Sequence, residues 1–303
     1  MNIALITITR NDDCRFREWV NHYKEYKDEL YLHLIVDNDS TPEYQDLLRK
    51  TFPDSIIIEL GYNGGCTSAY NAGIKYALSN KKVDAISLLG NDIRMPKGEI
   101  TKLYDFLFSN DNYGMVFPIV LRPIIGNDRV NSFGNAIDRK TMRMIDQNHK
   151  MLISSLPDML ICETGPGGCN MSKPFFYEKV GLQDEKMFMY SDEVEMGIRA
   201  KKVGVTMAIT KNAVAWHMHI NQKGKTNRST FTPFLIARNK IYVAKKHFGR
   251  KEIFTTLCFW SKIAVIGMVS SIIHSKGIDS IIYSFNYLKG LWAGITNNMK
   301  NNF

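Results

Sequence analysis

Asp92 follows a short apolar run, Ile86-Ser87-Leu88-Leu89, and the pair Gly90-Asn91. In an open α/β sheet, ligands bind at the carboxyl ends of the strands. A carboxylate there is placed to hold a divalent cation beside a phosphate, although Gly-Asn-Asp by itself is also ordinary turn chemistry. Two more strand ends collect polar groups, Thr9-Arg10-Asn11 and Asp37-Asn38-Asp39-Ser40. Three such ends on one edge, with the turn Gly61-Tyr62-Asn63-Gly64-Gly65 between them, suggest a nucleotide pocket. Asp37 could accept from a base N–H or a ribose hydroxyl, and Arg10 could reach a phosphate. No GxGxxG follows the first strand and no P-loop motif occurs, which argues against ordinary dinucleotide and P-loop sites.

A second group lies between residues 165 and 199. Gly165-Pro166-Gly167-Gly168-Cys169-Asn170 is a glycine-rich turn, and Asp192, Glu193 and Glu195 open a helix. Acidic residues favour a helix N-terminus. Asp192 with Glu195 fits a capping box, and Glu195 with Arg199 fits an i,i+4 pair. That leaves Glu193 without a structural task and makes it a candidate general base. Third, His217 and His219 sit two apart on a strand and share a face; such pairs also occur on surfaces and in cores. Asp92 plus one histidine would make a site for a hard cation, with phosphate oxygens as the remaining ligands.

The elements that must position these residues read as follows. Strands are expected at 2–9, 31–36, 55–60, 86–89 and 115–121, with helices at 13–27, from 42, at 67–78 and at 96–108. Thr41 is an N-cap with Pro42 at the first helical position. Ala69, Ala72, Gly73 and Ala77 give one helix a small-residue face. This alternation predicts an α/β fold with a parallel sheet and helices on both sides. Residues 122–163 hold no period and read as a variable, substrate-facing segment. Helices at 173–180 and 191–203 and short strands at 205–210 and 213–217 follow. From residue 231 the pattern is helical, at 234–248, 253–273 and 278–295.

The net charge of +9 suits an anionic partner such as a nucleotide phosphate or an acidic membrane. Lysines are scattered rather than interleaved with aromatics, so no nucleic-acid partner is expected. The five cysteines form no CxxC pair, which indicates neither a disulfide framework nor a zinc site and suits a reducing compartment. The run Ile3 to Ile8 is too short for a signal peptide or a membrane span and reads as a buried strand.

Over residues 3 to 245 the order of motifs resembles the GT-A glycosyltransferases of family 2, especially the bacterial rhamnosyltransferase-like branch. Thr7-Ile8-Thr9-Arg10-Asn11 is similar to that family's first strand end, and residues 36–41, Val-Asp-Asn-Asp-Ser-Thr, to its Val-Asp-Asn-x-Ser-Thr. Asn63, Gly65, Ala69, Asn71, Gly73 and Ala77 resemble its helix entry. Leu88 to Ile93 sits where the Asp-x-Asp metal motif belongs, with Gly90 in place of the first Asp. Residues 167–171 and 180–190 resemble the acceptor-side signature. Ser191 to Glu195 resembles Glu-Asp-Val-Asp, 213–217 the strand ending in the late histidine, and Arg238-Asn239 a later pair.

The resemblance implies a GT-A catalytic domain at 1–230, with a nucleotide-sugar half at 1–121 and an acceptor half at 122–230. A helical region would follow at 231–303. It implies inverting transfer of a hexosyl or deoxyhexosyl group from a nucleotide-diphosphate sugar to a glycan or lipid-linked glycan, in bacterial surface polysaccharide synthesis. Thr9, Arg10, Asp37, Asn38, Asn63, Gly65, Asn71, Asn91 and Asp92 would bind the donor. Gly167, Gly168 and Asn170 would face the acceptor. Asp92 and His217 would hold Mn2+ or Mg2+, and Glu193 or Asp192 would be the base. The missing first Asp motivates a rival, a catalytically silent nucleotide-sugar-binding scaffold. In the tail, Lys, Trp and Tyr flank apolar faces as in interfacial helices. Cytoplasmic placement, peripheral on the inner face of the membrane, is expected; packing on the domain or a homodimer interface are the alternatives.

Overall fold

The computed structural model describes residues 1–121, 130–146, 148–218, 227–274 and 277–301. His219 and residues 122–129 of the expected variable segment lie outside the described residues. Two compact units emerge from the chain's own contacts. The first holds Met1–Ala136, Asp146–Gln183 and Met196–His219; the second holds Ile137–Ile145, Asp184–Glu195 and Ile220–Phe303.

In the first unit, strand and helix alternate as the periodicity predicts. β1 (Ile3–Thr9), α1 (Asp13–Tyr26), β2 (Leu32–Asp37), α2 (Pro42–Thr51), β3 (Ile56–Glu59), α3 (Gly65–Ser79) and β4 (Ala85–Leu89) follow one another. After them come β5 (Ile93–Arg94), α4 (Glu99–Phe108) and β6 (Tyr113–Leu121). Thr41 caps α2 by accepting from the Tyr44 amide, with Pro42 just inside. Side chains of β1 alternate between two cores. Ile3 and Leu5 pack with Ile100, Leu103 and Leu107 of α4, while Ala4 and Ile6 pack with Ala69, Ile74 and Ala77 of α3. The small-residue face of α3 is needed for this approach: a Cβ on Gly73 would lie 2.5 Å from Ile6 Cγ2.

β1, β2, β3 and β4 pair in parallel, but β4 and β6 are not neighbours. β11 (Cys169–Ser172) lies between them, antiparallel to both, with Cys169 opposite Leu89 and Met171 opposite Val116. The sheet is therefore mixed rather than purely parallel. Short length and two polar residues hide β11 in the sequence. The ladder absorbs the Ser172 hydroxyl, whose Oγ donates to the Ile86 carbonyl, and the Asn170 backbone carbonyl accepts from Ser87 Oγ. The strands expected at 205–210 and 213–217 are one strand, β12 (Thr206–His217), parallel to β6. Its register shifts between Thr210 and Val214, where the pattern breaks. Along the sheet, β12 follows β10 (Met159–Cys162), and β5 pairs with its end. β7 (Val130–Ser132) pairs with β6, and α5 (Pro174–Val180) completes the layer.

The second unit is mainly helical, with α7 (Asn227–His247), α8 (Arg250–Ile273) and α9 (Ile278–Ile295). Ala237, Ile241, Trp260 and Leu291 form its core. Gly294 lets α9 come close to α7: a Cβ there would sit 2.8 Å from the Arg238 carbonyl oxygen. The tip of the hairpin between β8 (Asn135–Asp138) and β9 (Arg143–Asp146) joins this unit. Thr256 and Trp260 of α8 donate to the Lys140 and Thr141 carbonyls. α6 (Asp192–Lys202) starts in the second unit and continues into the first.

Candidate functional site

In the first unit, the loops after β1 and β2 are tied together. Asn11 donates its amide to Ser40 Oγ at 3.0 Å, and the Thr41 amide donates to Asn11 Oδ1 at 2.9 Å. Asn11 and Asp39 take left-handed backbone angles, which short polar side chains tolerate. Asp37 ends β2 fully buried. Its Oδ2 accepts from the Ser40 amide and from Gln45 Nε2, at 3.1 and 2.8 Å. Its Oδ1 has no hydrogen-bond partner among the described residues. A buried carboxylate oxygen without a donor is costly, so this atom is an acceptor awaiting a ligand N–H or O–H.

Beside it, Asn38 Nδ2 donates to Asn63 Oδ1 and to the Gly65 carbonyl, both at 3.2 Å, and Asn38 Oδ1 accepts from the Gly64 amide. One amide side chain thus fixes the Asn-Gly-Gly turn against the end of β2. Gly65 has a φ of 68°, suited to glycine. The remaining expected donor residues have other local tasks. Thr9 Oγ1 shares a 2.7 Å hydrogen bond with the Tyr44 hydroxyl. Arg10 is about half exposed and pairs with Asp39 at 3.7 Å. Asn71 braces a loop, donating to the Gln183 carbonyl and accepting from its amide, each at 2.9 Å.

The end of β4 carries the denser polar cluster. β5 pairs antiparallel with the end of β12, His217 opposite Ile93, and the Met218 amide donates to the Asp92 carbonyl. This pairing sets His217 Nε2 3.2 Å from Asp92 Oδ2. The same oxygen accepts from Arg15 NH1 at 3.0 Å. Arg15 also grips Asp12, with Nε 3.0 Å from Oδ1 and NH2 2.5 Å from Oδ2. Asn91 Nδ2 donates to Asp12 Oδ2 at 2.7 Å. Asp12 and Arg15 are absent from the sequence expectations. The available signal was their i,i+3 spacing directly after a polar strand end. The 167–168 turn joins this cluster through the Gly90 amide, which donates to the Gly168 carbonyl at 2.8 Å. Asn170, on β11, keeps a buried Oδ1 without a partner among the described residues.

Among the described residues, no group of three or more carboxylate, imidazole or thiol side chains converges on one point. Asp92 Oδ2 and His217 Nε2 lie 3.2 Å apart, one oxygen and one nitrogen side by side. That set fits a hard cation that arrives with a diphosphate, since such ions take one or two protein ligands and complete their shell with phosphate oxygens. It does not make a cage of its own.

In the second unit, α6 opens on the three acidic residues Asp192, Glu193 and Glu195. Glu195 is fully buried and meets Lys246 Nζ and His247 Nε2, each at 2.9 Å. Further along α6, in the first unit, Arg199 donates to the Val180 and Leu182 carbonyls. The partners of Glu195 lie some fifty residues away in sequence, beyond the reach of a local rule. Asp192 and Glu193 are half-buried, yet the protein around them is dense enough that desolvation lifts both carboxyls above the ordinary range. Lys240 of α7, nearly buried, is pushed down to about 8 by the same cause, and both carboxylates oppose that shift. Arg238 and Asn239 hold the turn before the pair. Asn239 Nδ2 donates to the carbonyls of Met187, Met189 and Tyr190, and Arg238 NH2 to that of Met187. The arrangement can accept a proton at a pH above that of an exposed carboxylate.

The profile of Glycosyl transferase family 2 matches residues 4–157, just over half of the chain. The low-salt glycan biosynthesis hexosyltransferase Agl10 of Haloferax volcanii is 25% identical over 225 residues, which cover 72% of this chain and 68% of that protein. Three solved structures share the fold. GalNAc-T7 with UDP, GalNAc and Mn2+ matches 81% of this chain with a TM-score of 0.63 at 11% identity. The mannosyltransferase PcManGT of Pyrobaculum calidifontis, in complex with GDP-Man and Mn2+, matches 98% with a TM-score of 0.57 at 12% identity. Residues 1–349 of TarS from S. aureus match 99% with a TM-score of 0.55 at 10% identity. The chain spans 48% of the GalNAc-T7 chain, 87% of PcManGT and 82% of the TarS chain.

Proposed function

The chain belongs to glycosyl transferase family 2, and from that membership we propose an inverting enzyme of the rhamnosyltransferase-like branch. It moves a hexosyl or deoxyhexosyl group from a nucleotide-diphosphate sugar to a hydroxyl of a glycan or lipid-linked glycan. The setting is bacterial surface polysaccharide synthesis, such as O-antigen or capsule. The observation that carries the donor assignment is Asp37, a buried strand-end carboxylate with one oxygen unpartnered among the described residues. That oxygen takes an N–H of the base or a hydroxyl of the ribose. Asn38, Asn63 and Gly65 shape the turn beside it, and Asn91 and Asp92 face the diphosphate.

Asp92 and His217 would hold Mn2+ or Mg2+, which when bound supplies positive charge to the departing diphosphate. Glu193, with Asp192 beside it, takes the proton from the acceptor hydroxyl as that oxygen attacks the anomeric carbon. The carbon–oxygen bond to the diphosphate breaks on the opposite side, so the configuration inverts. Gly167, Gly168 and Asn170 belong to the acceptor side in this reading. The catalytically silent scaffold is the second reading, favoured by Gly90 at the place of a metal-binding Asp.

For the tail, the reading is peripheral attachment to the inner face of the cell membrane. By length and composition α8 could cross a bilayer, with a mean hydropathy of 1.7 over its most apolar window, of which 22% is buried. Lys262 and the several Ser and Thr residues within it support an interfacial position over a spanning one.

The test is a thermal-shift screen of UDP, GDP and dTDP and their sugars, with and without Mn2+, followed by transfer assays with each stabilising sugar. Stabilisation by one nucleotide together with transfer or slow hydrolysis of its sugar supports the enzyme. Stabilisation without turnover of any sugar supports the scaffold. No stabilisation by any nucleotide overturns the donor site.

A further inference from the structure

The cluster at the end of β4 contains one more cation than a metal site needs. Arg15 forks onto both oxygens of Asp12 and extends its third nitrogen to Asp92 Oδ2, the oxygen that also faces His217. Arg15 and Asp92 expose about a sixth of their side-chain surface, and Asp12 less. Asp12 is itself fixed by Asn91, so the guanidinium is anchored at one end and shared at the other. A divalent cation bound to that Asp92 oxygen would lie next to a fixed positive charge, and like charges at this range repel strongly in a partly buried site.

From this we infer that Arg15 is a resident counter-cation for Asp92 that makes metal binding depend on the nucleotide diphosphate. The inference rests on the donor-site reading above. Without a nucleotide, the guanidinium neutralises Asp92 and opposes the metal. With a diphosphate bound, Arg15 would turn its free edge to a phosphate oxygen, and Asp92 and His217 would be released to hold the metal, whose charge the phosphate oxygens would share. Guanidinium geometry suits that exchange, because its remaining N–H groups match phosphate oxygens as well as they match a carboxylate. Arg15 is thus a positioning residue that couples two ligands. Coupling of this kind is reciprocal, so the metal must favour the diphosphate as much as the diphosphate favours the metal.

The experiment titrates Mn2+ into the full chain and follows free Mn2+ by electron paramagnetic resonance, alone and with saturating UDP, GDP or dTDP. The wild type should bind Mn2+ weakly alone and at least about tenfold more tightly with the fitting nucleotide. Arg15→Gln should bind Mn2+ alone about five- to tenfold more tightly than the wild type, and the enhancement by nucleotide should shrink. Arg15→Lys keeps the charge and should behave like the wild type toward Mn2+ alone, which separates charge from damage to the fold. If Arg15→Gln binds Mn2+ alone no better than the wild type while nucleotide-dependent binding persists, the role of Arg15 is overturned and the donor site stands. If the wild type binds no Mn2+ with any nucleotide, the metal assignment fails and the inference fails with it.

Discussion

At the scale of single residues, Glu193 bears the sharpest prediction. Replacing it with Gln removes the proton acceptor with little change in shape. The proposed mechanism then expects kcat to fall by about 10² to 10⁴ with nucleotide affinity nearly unchanged, as read by steady-state kinetics and calorimetry. Desolvation raises the carboxyls of Asp192 and Glu193, so they hold protons at a pH where exposed acids have lost them. The base works only when deprotonated. Activity should therefore fall as pH drops through this raised pKa, and the acid limb of kcat/KM should lie above the ordinary glutamate value of about 4.3. An acid limb at or below that value removes the case for either carboxyl as base. The two titrate as a pair, so the limb belongs to both. At this scale the sequence displays strand-end residues such as Asp37 and Asp92, because an apolar run points at them. It hides Arg15 and the Glu195 partners Lys246 and His247, because those contacts are made by folding and not by local spacing.

Among the elements, α3 shows how a site-bearing loop is held. Its small face admits the β1 side chains, and Gly73 meets Ile6 where the approach is closest. Gly73→Val should destabilise the first unit by about 1–3 kcal/mol through overpacking, measured as a lower denaturation midpoint with an unchanged denaturant slope. The strand–helix alternation and the small-residue helix were legible because both follow from periodicity. The antiparallel β11 was not, because four residues with two polar ones carry no period, and its place is fixed by β4 and β6 on either side. Within β12 the opposite happened: two expected strands are one, and the break in the pattern marks a change of register.

At the scale of the whole molecule, the tail presents a run of exposed apolar side chains. Ile272, Ile273 and Ile278 are 65%, 69% and 71% exposed. From residue 253 on, Asp279 is the only acidic residue, against four lysines. The peripheral reading expects co-sedimentation with anionic vesicles, at least about tenfold weaker on neutral ones, and release by carbonate. Retention after carbonate would argue for a spanning helix, and a concentration-dependent dimer with no vesicle binding would assign the face to a second copy. The helices themselves were legible from apolar patterning; their inclusion with residues 184–195 in one unit was not.

That grouping changes what the tail is. The two residues that hold the turn before Asp192, Arg238 and Asn239, lie on α7, beyond the boundary at 230 suggested by sequence. A chain stopped at 230 would lose not an appendage but the scaffold of its own proposed base. Such a chain should be inactive even toward a soluble acceptor. By the same reasoning, the tail is not a part that could be exchanged freely between related enzymes: whatever remodels it must also preserve the grip on the carbonyls of residues 187–190.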